Sequence, residues 1–148
     1  MITFEQLHKE NHKITELSNV FRYLISERSM CDTQIACDIF FTYVEKVRDH
    51  LELVDKHLYT KLLNNPDPTI RQKADRFMSG SHEIKRLFKE YLGKWSTPTG
   101  NALRIRNHAA FVQETQDMMD IVLDRIQRET EHLYPLVRRV TGNELVAA

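Results

Sequence analysis

The sequence contains little glycine or proline, with four of each in 148 residues. All-β folds and α/β folds with many strands need frequent turns, so this scarcity argues against both classes. Cysteine is rarer still, and Cys31 and Cys37 are the only two. If both lie on one helix, they stand roughly 9 Å apart along its axis, which is too far for a disulfide bond. A reducing cytoplasm is therefore the expected location.

An excess of charge of either sign is also lacking, since 21 Lys and Arg balance 21 Asp and Glu. Proteins dedicated to nucleic acids or anionic membranes need a basic excess, so we expect neither partner. No apolar run approaches the roughly 18–20 residues that span a bilayer. The first residues show no basic segment followed by an apolar one, so we expect no signal peptide.

Four long segments with helical spacing remain after these exclusions. Turn-forming residues interrupt the pattern at 29–32, 64–68 and 96–101, and Gly142 follows the last basic turn. Asp32 and Asp67 are predicted helix N-caps, the latter with Pro68 at the first helical position. The predicted helices cover roughly residues 3–28, 32–64, 67–95 and 101–141.

Each predicted helix has one apolar face. These faces comprise Phe4, Leu7, Ile14, Leu17, Phe21 and Leu24; Phe40, Tyr43, Val47, Leu51, Val54, Leu58 and Leu62; Ala74, Phe77, Ile84, Leu87, Phe88, Tyr91 and Trp95; and Phe111, Met118, Val122, Ile126, Leu133, Leu136 and Val140. Long helices joined by short loops must fold back on their neighbours. The sequence therefore predicts one all-α domain over residues 1–148, an up-down-up-down antiparallel four-helix bundle.

Two segments of the sequence are similar to each other. His57-Leu58-Tyr59 in the second predicted helix matches His132-Leu133-Tyr134 in the fourth, where Pro135-Leu136 follow. A four-helix bundle that ends in Glu129-Thr130-Glu131-His132-Leu133-Tyr134-Pro135-Leu136 resembles the hemerythrin-like (HHE cation-binding) family. The resemblance implies a non-heme di-iron site inside the bundle, with a role in O₂ carriage, iron handling or redox sensing.

The resemblance also assigns ligand positions, and only two of six retain the family residue. His50 keeps the histidine position of the second helix, but Val54 occupies its glutamate position. Glu129 keeps the glutamate position of the fourth helix, but Arg125 occupies its histidine position. The single histidines of the first and third helices are replaced by Asn11 and Ser81. His12 and His82 stand one residue further along.

One interpretation is a metal-free polar cluster at the former metal site. Val54 supplies no donor atom, and Arg125 carries a charge that it cannot lose. Arg125 and Glu129 lie four residues apart, within reach on one helix face, so the guanidinium can replace the metal's positive charge. The predicted cluster comprises Asn11, His50, Ser81, Arg125 and Glu129, and no cofactor is expected with it.

A second interpretation retains a metal. If the first and third helices are rotated by one residue, His12, His50, His82 and Glu129 converge. Three imidazoles and a carboxylate can hold one Zn²⁺ or Fe²⁺ ion. Asp55 or His57 could then contribute a further donor from the second helix.

These interpretations lead to three functions. The first is a non-enzymatic hemerythrin-like module that binds or regulates an unidentified protein partner, with Tyr23 and Phe41 available for an interface and a homodimer as one arrangement. The second is an iron- or zinc-binding protein, with a di-iron or a mononuclear site, that senses O₂ or redox state. The third is a small di-iron oxidase or peroxidase. Gly-rich phosphate loops and nucleophile elbows, which would indicate other enzyme classes, do not occur.

Overall fold

The computed structural model describes residues 2–142 and 144–145 and is almost entirely helical. Its helices are α1 (Phe4–Ile25), a 3₁₀ turn (Arg28–Asp32), α2 (Gln34–Leu53), α3 (Thr60–Leu63), α4 (Pro68–Trp95), α5 (His108–Arg128) and α6 (Tyr134–Thr141). A π-helical turn (Val54–Tyr59) joins α2 to α3, and a second one (Glu129–Leu133) joins α5 to α6. The prediction of an all-α chain with four long helical segments is therefore confirmed. The predicted domain range 1–148 includes residues 1, 143 and 146–148, which lie outside the described residues.

Side chains at the helix ends account for the observed boundaries. Asp67 accepts a hydrogen bond from the Thr69 backbone with Pro68 at the start of α4, as predicted. The predicted Asp32 cap is wrong, because the chain makes a 3₁₀ turn there and the Thr33 side chain caps α2 instead. This turn also ends α1 at Ile25, and it places the two free cysteines on different elements.

The last long helical segment begins at His108, seven positions after the predicted start at 101. Backbone pairing holds the preceding residues in a loop: Ser96 and Leu103 form an isolated antiparallel bridge, and the Arg104 N–H donates to the Trp95 carbonyl over 2.7 Å. Asn107 then caps the helix through the Ala110 backbone N–H. Because this pairing links the two sides of the loop, the local helical spacing gave no sign of it.

The termini of the described chain meet in a short strand pair. Strands β1 (Ile2–Thr3) and β2 (Glu144–Leu145) are antiparallel, and each has two residues. Thr3 also forms a capping box with Gln6 at the start of α1. At the other end, α6 stops at Gly142, whose φ of 80° suits a glycine.

The predicted apolar faces form the interior, and every residue assigned to them is buried or half-buried. α1 packs against α2 and α5, while α4 packs against α3 and α5. The buried apolar residues form two clusters. The first includes Ile14, Phe21, Phe40, Tyr43, Leu51, Ile84, Phe88, Trp95, Phe111 and Ile126. The second includes Phe4, Leu7, Val54, Leu58, Tyr59, Leu62, Ala74, Leu133, Tyr134 and Leu136.

Among the helices of residues 2–142, none is both long enough and apolar enough to cross a bilayer.

Candidate functional site

A layer of buried polar side chains lies between the two apolar clusters. Asn11 stands between Leu7 of the second cluster and Ile14 of the first, and Glu129 stands between Ile126 of the first and Leu133 of the second. His50 and Arg125 each lie one residue before the last member of the first cluster on their segments. Five residues predicted for the site are buried, with exposed fractions between 1 and 7%: Asn11, His50, Ser81, Arg125 and Glu129. Buried polar groups of this kind need partners, because each lost hydrogen bond to water costs free energy.

Glu129 connects two of these residues directly. Its Oε1 lies 2.6 Å from Nε2 of His50, and its Oε2 accepts from Nε of Arg125 over 3.1 Å. The Arg125 charge thus lies against a carboxylate that is only 1% exposed. Both carboxylate oxygens are engaged, which is what a buried ion pair requires if it is to be tolerated.

The other end of the Arg125 guanidinium binds elements outside α5. Its Nη2 donates to the Phe77 carbonyl of α4 over 2.7 Å and to the Tyr59 hydroxyl of the first π-helical turn. The Tyr59 hydroxyl in turn donates to the same Phe77 carbonyl over 3.2 Å. The guanidinium carbon also lies 4.9 Å from the centre of the Phe77 ring, in a cation–π contact. Arg125 therefore links three helical segments.

Asn11 and Ser81 belong to the same layer but have other partners. Asn11 Nδ2 donates to the Tyr134 hydroxyl over 3.0 Å. Ser81 Oγ donates to Asp55 over 3.1 Å, and Asp55 also pairs with Lys85. Within the described structure, neither side chain is hydrogen-bonded to Glu129. The five predicted residues thus form one direct trio, Glu129 with His50 and Arg125, and two flanking pairs.

Tyr59 and Tyr134 are functional residues that the sequence prediction missed. Both are at most 1% exposed, and burial raises the pKa of each phenol. Each therefore stays protonated at neutral pH and can hydrogen-bond through its hydroxyl. The repeated His-Leu-Tyr segment could have pointed to these two residues, because each tyrosine ends one copy of the repeat. In the structure each copy lies at a π-helical turn.

Gly80 is a third missed residue. It lies within α4, where glycine normally weakens a helix. A Cβ atom at this position would stand 2.8 Å from Nη1 of Arg125, closer than real Cβ contacts. Gly80 therefore makes room for the guanidinium, a role that the spacing of residues within α4 could not reveal.

The histidines of the metal-retaining interpretation are not brought together. His12 and His82 are both exposed, whereas His50 and Glu129 are buried. His12 lies on the solvent side of α1, where it pairs with Glu16 over 2.9 Å. Helical phase explains this placement, because the buried positions of α1 and α4 are those of Asn11 and Ser81.

The donor set in the layer does not fit a di-iron centre. Over the described residues, there is no group of three or more His, Cys, Asp or Glu side chains that could hold a metal ion. Val54 is fully buried in the apolar cluster, and Asp55 is engaged by Ser81 and Lys85. Arg125 cannot coordinate a cation, and its charge would repel one.

Comparisons with family models, with curated proteins and with solved structures found no match for this chain.

Proposed function

We propose that this chain is a hemerythrin-like bundle in which a metal-free polar cluster replaces the di-iron site. In this proposal the four long segments run alternately up and down as one domain. One short connection supports the alternation, since only residues 64–67 separate α3 from α4. Helices joined by so few residues pack beside each other in opposite directions. The cluster is the trio of Glu129, His50 and Arg125 together with the flanking Asn11–Tyr134 and Ser81–Asp55 pairs.

The observation that carries the proposal is the position of the Arg125 side chain. Its guanidinium occupies the layer where the resemblance places metal ligands, and it neutralises Glu129 with a permanent charge. Tyr59 and the Phe77 carbonyl fix the remaining donors on one side. A cation held by hydrogen bonds to three segments is a structural substitute for a bound metal ion.

The same contacts favour a non-enzymatic binding or regulatory role, and the two free cysteines support a reducing compartment such as the cytoplasm. Arg125 keeps its charge and cannot act as a general acid or base, and Nε2 of His50 is engaged by Glu129. Both oxygens of Glu129 already have partners inside the protein. A protein partner would use the outer helix surfaces, where Tyr23 is 81% exposed and Ile35 is 57% exposed. Phe41, in contrast, is half-buried.

Rebuilding the family's ligand set tests the proposal. The variant carries the substitutions Asn11→His, Val54→Glu, Ser81→His and Arg125→His. We expect it to bind iron after anaerobic reconstitution, as measured by elemental analysis and visible absorption, while the wild-type chain does not. Far-ultraviolet circular dichroism checks that the variant is folded, and the smaller Val54→Glu/Arg125→His variant serves if it is not.

A matched control separates the two sets of histidines. His12→Ala and His82→Ala, introduced into the rebuilt variant, should leave its iron content unchanged because both side chains face solvent. A folded rebuilt variant without iron would contradict the hemerythrin-like assignment. Iron in the wild-type chain with an O₂-dependent spectrum would favour the sensor, and peroxide turnover would favour the oxidase or peroxidase.

A further inference from the structure

A groove of about 410 Å³ lies on the surface beside the buried cluster, between α4 and the segment formed by α5 and the second π-helical turn. Its lining includes four permanently or normally charged cations, Lys73, Arg76, Arg125 and Arg128, together with His132. Among the residues described, no Asp or Glu side chain lines it. This concave surface is therefore basic although the chain carries no net charge.

Arg125 extends from the buried cluster into this groove. Its Nε and Nη2 atoms bind Glu129, Tyr59 and the Phe77 carbonyl, whereas Nη1 has no hydrogen bond to any residue that the structure describes. Nη1 lies beside Gly80, in the space that a Cβ atom at this position would occupy. The groove thus contains a donor whose orientation is fixed by the bonds of the other two nitrogens.

The other cations around the groove are available to a ligand. Lys73 and Arg76 are exposed and form no ion pair within residues 3–142. Arg128 pairs with Asp124 over 3.1 Å, but both side chains are more than 60% exposed, so this pair is weak and can rearrange.

A groove on the opposite side of the cluster provides a comparison. It has a volume of about 350 Å³ and is lined by His50 together with two lysines and two acids, Lys9, Lys46, Glu10 and Asp49. Its charges cancel, and Lys46 lies 3.7 Å from Glu10. Two further grooves are lined by basic side chains and, among the described residues, by no acid: one by Arg48, Lys89 and Arg104, the other by Lys94, Arg104 and Arg106. The groove beside Arg125 differs from them in containing a guanidinium that is only 7% exposed and is held by hydrogen bonds to buried partners.

We infer that the groove beside Arg125 binds a small phosphate-bearing molecule. The inference rests on the proposed function, because it names a ligand for the binding module. Guanidinium groups bind phosphate oxygens through paired N–H donors, and ammonium groups add charge. The volume is that of a small-molecule site, and the half-buried Phe77 ring lines it as an apolar surface for an organic group.

Isothermal titration calorimetry with three probes tests this inference: inorganic phosphate, phenyl phosphate and an acidic peptide without phosphate. NaCl at matched ionic strength measures the effect of screening alone. The wild-type chain is compared with Lys73→Ala/Arg76→Ala, which changes two exposed side chains and should fold normally. Lys13→Ala, an exposed lysine of α1 outside the groove, is the matched control.

We expect one phosphate probe or both to bind in a one-to-one complex, about tenfold or more weakly in Lys73→Ala/Arg76→Ala and unchanged in Lys13→Ala. Tighter binding of phenyl phosphate than of inorganic phosphate would identify an organic ester as the ligand, and equal binding would identify free phosphate. Three results would overturn the inference: no binding beyond the NaCl control, equal binding by the double variant, or binding of the acidic peptide alone. Metal content is measured separately, so a failure here leaves the metal-free cluster standing.

Discussion

Gly80 and Arg125 form a complementary pair across the contact between α4 and α5. A Cβ atom on Gly80 would lie 2.8 Å from Nη1 of Arg125, so the glycine leaves the space that the guanidinium fills. The helix loses the stability that alanine would give at this position, and the protein gains a buried cation beside Glu129. A cost in local helix stability thus accompanies a specific contact at the site.

Substitution of this glycine should therefore differ from substitution of another one in the same helix. Gly93 also lies within α4, and a Cβ atom there meets nothing within 4 Å. We expect Gly93→Ala to stabilise the protein by about 0.5–1 kcal/mol, the usual gain for alanine over glycine in a helix. Gly80→Ala should destabilise it, because Nη1 of Arg125 must shift while the other two nitrogens are held by hydrogen bonds to buried partners. Urea denaturation gives both free energies of unfolding.

The Arg125→Ala background provides the control for that comparison. Without the guanidinium, Gly80→Ala should become stabilising and resemble Gly93→Ala. If Gly80→Ala destabilises equally with and without Arg125, the two residues are not complementary and this account of the glycine is wrong.

Removal of Arg125 itself should be strongly destabilising. Arg125→Ala leaves Glu129 buried without its charged partner, which costs roughly 3–5 kcal/mol in comparable pairs. Arg128→Ala, on the exposed side of the same helix, should change the free energy of unfolding by less than about 0.5 kcal/mol. Chemical denaturation of both variants measures the difference, and a near-zero effect of Arg125→Ala would remove the basis for the cluster.

Replacing a tyrosine by phenylalanine removes only the hydroxyl, and its effect on stability should differ between Tyr59 in the site and Tyr43 in the apolar core. Tyr59→Phe removes the hydroxyl that contacts Arg125 and the Phe77 carbonyl, so it should destabilise by about 1.5–3 kcal/mol, as for bonds to charged groups. The Tyr43 hydroxyl is buried and has no partner in the part of the chain described. Tyr43→Phe should therefore be neutral or stabilising, by up to about 1 kcal/mol. Thermal melts of both variants in one buffer measure the two changes in stability, and equal losses of stability would contradict the prediction.

Stability should also fall at alkaline pH. Burial raises the pKa of Tyr59 and Tyr134 above the ordinary value of 10.0. The folded state thus holds these two protons more tightly than the unfolded state does. The resulting stability is complete below about pH 10 and is lost as pH rises from there towards the raised values.

The Tyr59→Phe/Tyr134→Phe variant measures that dependence. Its free energy of unfolding should fall less steeply between pH 10 and 11.5, by up to about 1.4 kcal/mol per pH unit for each tyrosine removed. Identical slopes for the variant and the wild-type chain would show that these phenols do not ionise on unfolding.

The sequence predicted those features that depend on local order. The apolar positions at helical spacing are buried, and Asp67 with Pro68 begins α4 as expected. Helical phase also placed Asn11 and Ser81 inside and His12 outside, because the direction of a side chain follows from its position in the turn.

Features that depend on contacts between segments were missed. The bridge between Ser96 and Leu103 holds these residues in a loop, so the last long helical segment begins later than predicted. Hydrophobic periodicity does not encode this bridge. The role of Gly80 depends on its contact with Arg125, which lies on another helix. The hydroxyl of Tyr134 meets Asn11 more than a hundred residues away along the chain. Each of these contacts arises when helices pack, so the pattern within one helix cannot show it.

The measurement that tests the central claim most directly is elemental metal analysis of protein purified anaerobically without a metal-affinity tag. The Arg125–Glu129 pair, at positions that the hemerythrin-like resemblance assigns to metal ligands, predicts no stoichiometric metal, with a melting temperature that neither chelator nor added Fe²⁺ or Zn²⁺ changes. Two iron ions per chain would contradict the metal-free cluster and restore the O₂ or redox function. A single zinc or iron ion would contradict it in favour of a mononuclear site.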